Sequence, residues 1–304
     1  MRMTLDASIL IATRNRAELL ERTLSSLRQQ DSSSFSWEVI VVDNGSSDDT
    51  PQVLARLAKE WPEFPLVALR EERPGKSMAL NLGISQAKGK LLLFTDDDIV
   101  PVRRWVANLL GAAERATDFG IFCGPIIPDF PQKAPWWLSI TPMTAAPYGR
   151  FTPMQVEEET LTAGLPFGGN FAVRSSVLKD TRFDAELGPK GALWLNGEDT
   201  DLLERLTSKG ERVLFVPSAG VRHFVSEQQI GFKWIAKRTF TMGRQTRPYF
   251  VARIATVQDA LIECARLWRD FGERVIKFEA LSIAAECTGI IYEGWRGTGR
   301  SKQG

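Results

Sequence analysis

Short apolar runs and amphipathic stretches alternate along the first hundred residues of the chain. Ala7–Thr13, Val39–Asp43, Pro65–Leu69 and Leu91–Thr95 are the apolar runs, and each passes into polar residues. Runs without alternation are what a strand buried on both faces requires. Between the first two, Arg16–Gln30 carries Leu19, Leu20, Leu24 and Leu27 at helical spacing. The turn Asn44-Gly-Ser-Ser-Asp-Asp-Thr-Pro51 feeds a second helix, with Thr50 as N-cap, Pro51 at N1 and Leu54, Leu57 and Ala58 on its apolar side. Ser77–Ala87 is the third helix. This alternation predicts an α/β fold, a parallel doubly wound sheet with ligands at the carboxyl ends of its strands.

The pattern changes after Ile127. Asp129–Pro166 is proline-rich, has little periodicity and holds Trp136 and Trp137, as functional or mobile long loops do. Order returns in Gly168-Gly-Asn-Phe-Ala-Val-Arg174, a strand entered through glycines, then in a helix over Thr200–Lys209 closed by Gly210. Val213–Val216 and Ala219–Arg222 read as strands, and Phe232 to about Trp295 as amphipathic helix. Phe232–Ile254 mixes aromatic and basic residues, a texture that suits packing on the rest of the protein or lying on an anionic membrane surface. Thr256–Tyr292 serves equally for packing or for a homodimer contact.

Composition narrows the class. A net charge of +1 gives no basic field for nucleic acid. Cys123, Cys264 and Cys287 are odd in number and unclustered, so they offer neither a disulfide framework nor zinc spacing, as in a reducing compartment. The opening MRMTLDASILIATRN reads as a strand and not as a targeting peptide, and no stretch reaches transmembrane length. The expectation is a cytoplasmic protein.

The chemistry gathers at strand ends. Leu91–Phe94 leads into Asp96, Asp97 and Asp98, where each charge raises the cost of ionising the next. A solvated turn is the plain reading; a cation such as Mg²⁺ or Mn²⁺, accompanied by a substrate phosphate, is the chemical one. Asp43 makes an Asx-turn with Gly45 or accepts a hydrogen bond from a base imide or ribose hydroxyl. Arg73-Pro-Gly-Lys-Ser77 is no P-loop, because position 70 is Arg where that motif needs Gly, but Arg73 and Lys76 suit phosphates from a loop. His223, the only histidine, would complete a metal shell. Glu198, Asp199 and Asp201 precede a helix, whose dipole favours carboxylates there, and Asp199 is the candidate general base. Trp194, Trp136 and Trp137 offer flat apolar faces for sugar rings.

In order, SILIATRNR, EVIVVDNGSSDDT, GKSMALNLGISQAKGKLLLFTDDD, PFGGNFAVR, NGEDTDLLERLTSKGERVLFVP and VRH resemble the family 2 inverting glycosyltransferases of the GT-A fold, from Ser8 to His223. The resemblance implies a Rossmann-like, mostly parallel central sheet flanked by helices over residues 1–228, with a C-terminal helical appendage over 229–304. It implies that Thr13, Arg16, Asp43, Arg73, Lys76, Asn81, Asp96 and Asp97 line the nucleotide site, with Asp43 on the base and Asp96 near the ribose. Asp98, helped by His223, would bind Mg²⁺ or Mn²⁺ at the diphosphate. Asp199 would deprotonate the acceptor hydroxyl, and Gly168, Gly169, Trp194 and Glu198 would border the donor sugar and acceptor. The implied partners are a nucleotide-diphospho-sugar, a UDP-sugar first among them, and a glycan or lipid-linked acceptor. One base without an enzymic nucleophile implies inversion. The QxxRW motif and membrane helices of processive synthases are missing after His223, so one or a few sugars are transferred. A nucleotidyltransferase is the rival enzyme class, but Ala12-Thr-Arg-Asn-Arg16 lacks the glycines its first loop carries. Against a non-catalytic sugar-nucleotide binder stands the joint presence of Asp96, Asp98, Asp199 and His223.

Overall fold

The structure, a computed structural model, describes residues 4–134, 138, 147–153, 157–161, 165–166, 168–190, 193–195, 197–231, 233–235, 237–238 and 240. The sequence reading of Trp136, Trp137, most of Phe232–Ile254 and all of Thr256–Tyr292 lies outside these residues. The chain divides into two compact units. The first comprises residues 1–129, 149–193 and 197–224, and the second residues 130–148, 194–196 and 225–304.

The first unit opens as the alternation predicts: β1 (Leu5–Thr13), α1 (Ala17–Leu27), β2 (Trp37–Asp43), α2 (Thr50–Glu60), β3 (Leu66–Arg70), α3 (Lys76–Gln86) and β4 (Gly89–Thr95). It continues with β5 (Ile99–Pro101), α4 (Trp105–Arg115), β6 (Ile121–Cys123), β7 (Ile126–Asp129), β8 (Glu159–Thr160) and β9 (Phe171–Arg174). Then come β10 (Gly188–Lys190), β11 (Leu193–Leu195), whose last two residues belong to the second unit, α5 (Glu198–Thr207), β12 (Val213–Phe215) and β13 (Val221–Phe224). The main sheet runs β3-β2-β1-β4-β9-β6-β12-β8. Its first four strands are mutually parallel. β9 is antiparallel to β4 and β6, and β8 to β12, so the sheet is mixed.

Burial explains the continuous runs. Ile9–Ile11, Val39–Val42 and Leu91–Phe94 are all essentially inaccessible, because helices cover both faces of the central strands. Each such side chain contributes about 1.5–3 kcal/mol relative to an exposed position. Phe94 stacks on Phe171 at 4.8 Å, tying β4 to its antiparallel neighbour. α4 buries Trp105, Val106, Leu109, Ala112 and Ala113 on the same core.

Two local expectations shift. Thr50 is not the N-cap of α2 but lies within the helix, after Asp49. The backbone N–H and the hydroxyl of Thr50 both donate to Asp48 Oδ1, at 3.0 and 2.5 Å, so Asp48 does the capping chemistry. α5 begins at Glu198 and not at Thr200, because Gly197 takes φ +103° as its N-cap and brings the next two carboxylates into the first turn.

A second sheet, β5-β13-β7, positions the histidine. β13 pairs antiparallel with β5 so that His223 faces Ile99, the residue after the aspartate turn. In the second unit, Tyr148 stacks on Trp234 with ring centroids 5.4 Å apart, and its hydroxyl donates to Gln229 O at 2.8 Å. Leu138, Val225 and Ile235 complete that small core. Among the described residues no helix is long and apolar enough to cross a membrane.

Candidate active site

The aspartate turn follows β4 and is braced from beneath. The buried hydroxyl of Thr23 on α1 lies 2.9 Å from Asp97 O and 3.0 Å from Ile99 O, and accepts the Ile99 N–H at 3.2 Å. Thr13 Oγ1 donates to Asp97 Oδ2 at 2.6 Å, and Arg16 Nη1 donates to Asp97 Oδ1 at 3.1 Å and Asp98 Oδ2 at 2.6 Å. His223 Nε2 stands 3.3 Å from Asp98 Oδ1. Burial resists ionisation of both aspartates, with opposite results. For Asp98, His223 and then Arg16 outweigh burial and hold the carboxyl below its usual range. For Asp97, burial prevails over Arg16 and, with the Asp98 charge, pushes the carboxyl up to about 6.

The third aspartate belongs to a different group. Lys76, first residue of α3, places Nζ 2.9 Å from Asp96 Oδ1, 3.2 Å from Glu198 Oε1 and 3.5 Å from Asp199 Oδ2. Glu198 and Asp199 are 3% and 8% exposed, and Glu198 Oε2 and Asp199 Oδ1 accept no hydrogen bond. Burial pushes Asp199 up to about 7; Lys76 opposes this, while Glu198 and Asp96 add to it. Burial disfavours the Lys76 charge, but Asp199, Asp96 and Glu198 outweigh it and raise the proton affinity of the ammonium.

The glycine turn before β9 makes room for this group. A Cβ on Gly168 would stand 1.8 Å from Asp199 Oδ2, so no other residue fits without moving the carboxylate. The turn is pinned by Thr95 Oγ1, which donates to Gly169 O at 2.7 Å. Asn170 follows, fully buried, accepting from Trp105 Nε1 at 2.8 Å and donating to Ala219 O at 2.8 Å.

Three of the remaining sequence candidates, Asp43, Arg73 and Asn81, have partners outside these two groups. Asp43, at the end of β2, accepts the Ser46 N–H at 2.9 Å and Arg70 Nη1 at 2.8 Å. Arg73 is 70% exposed and its guanidinium forks onto Glu71. Asn81 is bonded at both ends of its amide to the backbone of Phe183. Trp194 lies on β11, and its side chain is outside the description.

Sequence reasoning missed several residues that shape the site. Arg70 sits at a strand's carboxyl end, and the strand-end rule points to it as much as to Asp43. Asn44 donates to Glu71 O and Arg73 O and accepts the Gly75 N–H, clamping the loop that carries Lys76. Thr23, Thr95 and Asn170 gave no signal, since their partners are distant in sequence. Among the described residues no three His, Cys, Asp or Glu side chains form a group able to hold a metal by themselves.

The family model "Glycosyl transferase family 2" matches residues 8–182, more than half of the chain. Glycosyltransferase AglE of Haloferax volcanii is 26% identical over 208 residues, which cover 68% of this chain and 63% of that protein. The GalNAc(5)-diNAcBac-PP-undecaprenol beta-1,3-glucosyltransferase of Campylobacter jejuni is 35% identical over 91 residues, 30% of this chain and 29% of that protein. The chain thus spans less than two thirds of the length of these curated relatives. Among solved structures, the mannosyltransferase PcManGT from Pyrobaculum calidifontis, in complex with GDP-Man and Mn²⁺, aligns with all of this chain and 77% of its own. The TM-score is 0.57 and the identity 18%, a likeness of fold.

Proposed function

The chain belongs to glycosyl transferase family 2, with the GT-A fold and sugar transfer from a nucleotide-sugar that this entails, and on that premise we propose a metal-assisted, inverting, non-processive reaction at an acceptor hydroxyl. The observation that carries the reading is the convergence of Asp96, at a strand end on the nucleotide side, and Asp199, at a helix start, within reach of one ammonium.

Asp199 is the base. Its Oδ1 is buried and accepts no hydrogen bond, so it is the oxygen available to an acceptor hydroxyl. As the acceptor oxygen attacks the anomeric carbon, Asp199 takes its proton. The bond to the leaving phosphate oxygen breaks with its electron pair on the nucleoside diphosphate. A single displacement inverts the anomeric centre. Positioned bases of this kind contribute roughly 10²–10⁴ in rate.

Asp98 and His223 fit a divalent ion: Asp98 Oδ1 carries no regular hydrogen bond and faces an imidazole nitrogen at 3.3 Å. The carboxylate suits Mn²⁺ or Mg²⁺, and the imidazole nitrogen beside it favours Mn²⁺ of the two. Asp98 and His223 would hold it, and it would supply positive charge to the leaving diphosphate. Asp43 and Arg70 offer an acceptor and a donor side by side for a base edge, a UDP-sugar being the first donor to try. Thr13, Arg16 and Asp97 act by fixing the turn. The acceptor is a glycan or lipid-linked acceptor; the Campylobacter jejuni relative is named for transfer to an undecaprenol-linked glycan. The setting is the cytoplasm, with the C-terminal residues available for peripheral contact with the membrane.

A panel of UDP-, GDP- and other nucleotide-sugars, with Mn²⁺, Mg²⁺ or EDTA, tests the proposal by release of nucleoside diphosphate. Release from one donor, dependent on metal and lost in Asp199→Asn, is expected. Full transfer by Asp199→Asn overturns the base; full transfer in EDTA overturns the metal.

A further inference from the structure

Lys76 has been grouped above with the nucleotide-side residues, but its surroundings give it a different task. We propose that the Lys76 ammonium is the positioning residue of the base, holding Asp199 charged and in place from within the carboxylate group, and is not a ligand of the donor phosphates. The inference rests on Asp199 being the base.

An ammonium has three hydrogens to donate and no more. Lys76 Nζ has three carboxylates within 3.5 Å, those of Asp96, Glu198 and Asp199, and its side chain is only 21% exposed. Lys76 donates a hydrogen bond to Asp199 and is ion-paired to Asp96 and Glu198, so its charge is already directed at carboxylates. Arg16 faces the other two aspartates and Arg73 is held by Glu71, so neither of these guanidiniums meets Asp199.

Every element packed around Asp199 can be counted for charge. Its own helix brings Glu198, while Asp201 is paired with Arg205. The aspartate turn brings Asp96, the glycine turn brings none, and α3 brings Lys76. Two like charges and burial favour a protonated Asp199, which cannot take a proton from an acceptor. Among the described residues, the opposing charge acting on Asp199 is Lys76. An opposite charge at this range lowers a carboxyl by about 1–3 pH units. Geometry completes the assignment: Lys76 and the bare Cα of Gly168 lie against Oδ2, which leaves Oδ1 for the acceptor.

The test uses the full chain, Lys76→Met, Lys76→Arg and Glu198→Gln, with aspartate labelled with ¹³C at the carboxyl and the Asp199 resonance assigned by Asp199→Asn. In Lys76→Met the Asp199 titration midpoint should rise by at least about one pH unit. Lys76→Arg should bring it back, and Glu198→Gln should lower it. An unmoved midpoint in Lys76→Met overturns the proposal. If Lys76→Met does not fold by circular dichroism, an unmoved midpoint in the neutral Lys76→Gln overturns it. These titrations need no turnover, so they decide the matter even if no donor is found. With a donor in hand, the acidic limb of kcat should follow the midpoint upward in Lys76→Met, while KM for the donor stays within about twofold. A raised donor KM with an unmoved limb would make Lys76 a phosphate ligand instead.

Discussion

Asp97 and Asp98 are held from several sides, whereas Asp96, Glu198 and Asp199 share one lysine. In the first group Thr13 and Arg16 engage three of four carboxylate oxygens and His223 stands against the fourth. In the second, two buried oxygens accept nothing. Neighbouring aspartates of one turn thus fall into different groups: Asp97 and Asp98 are held in place, while Asp96 joins the group that contains Asp199. The paired side is braced by α1 and β13; on the other side, the Asp199 carboxylate occupies the place a side chain on Gly168 would take.

The largest effect is expected from filling that place. Gly168→Ala puts a methyl 1.8 Å from Asp199 Oδ2, so the carboxylate must move and transfer should fall by roughly 10²-fold or more, the scale of a lost base. A melting temperature near wild type alongside that loss would show that the damage is confined to the site. Wild-type turnover in Gly168→Ala would break the comparison from the reactive side.

On the paired side the readout is stability. Arg16→Met leaves Asp97 and Asp98 buried without their shared cation, and denaturant unfolding should show a loss of about 2–3 kcal/mol. That is the low end for a broken buried pair, since Arg16 is itself 39% exposed. Asn44→Ala strands the Gly75 N–H and two carbonyls, and should lose about 1–3 kcal/mol by the same measurement.

The smallest effect sharpens the contrast through pH. Asp199, raised to about 7, contributes stability at pH below the unfolded value that is lost as pH climbs through 7. Asp98, lowered, contributes above its unfolded value and loses that contribution as pH falls through its folded one. Asp199→Asn should therefore match the wild type in melting temperature near pH 4 and exceed it at pH 8. Equal melting across the range would mean that burial does not strain Asp199.

What was legible follows the same divide. β1, β2 and β4 were readable because burial on both faces leaves each a continuous apolar stretch, and the strand-end rule then put Asp43 and the aspartate turn at the ligand side. The stripe of Trp105, Leu109 and Ala112 on α4 was equally present in the pattern, though unread. The pairings were not legible. His223 reaches Asp98 only through the β5–β13 register, and Lys76 meets Asp199 only where the glycine turn admits α5. Asn81 shows the converse: a polar residue at a promising spacing whose amide is spent on the backbone of Phe183.

The β5–β13 register also has a consequence for how the molecule is made. During synthesis β1 to β4 and their helices emerge first and can associate locally, yet β4 then ends on a turn whose histidine has not been translated. Well over a hundred residues separate Asp98 from His223, so this contact belongs to the slow, non-local part of folding. The nascent chain can pair Asp97 and Asp98 with Thr13 and Arg16, but Asp98 Oδ1 must wait for its imidazole until β13 arrives. Closure of the small sheet is then the event that completes the aspartate turn's surroundings.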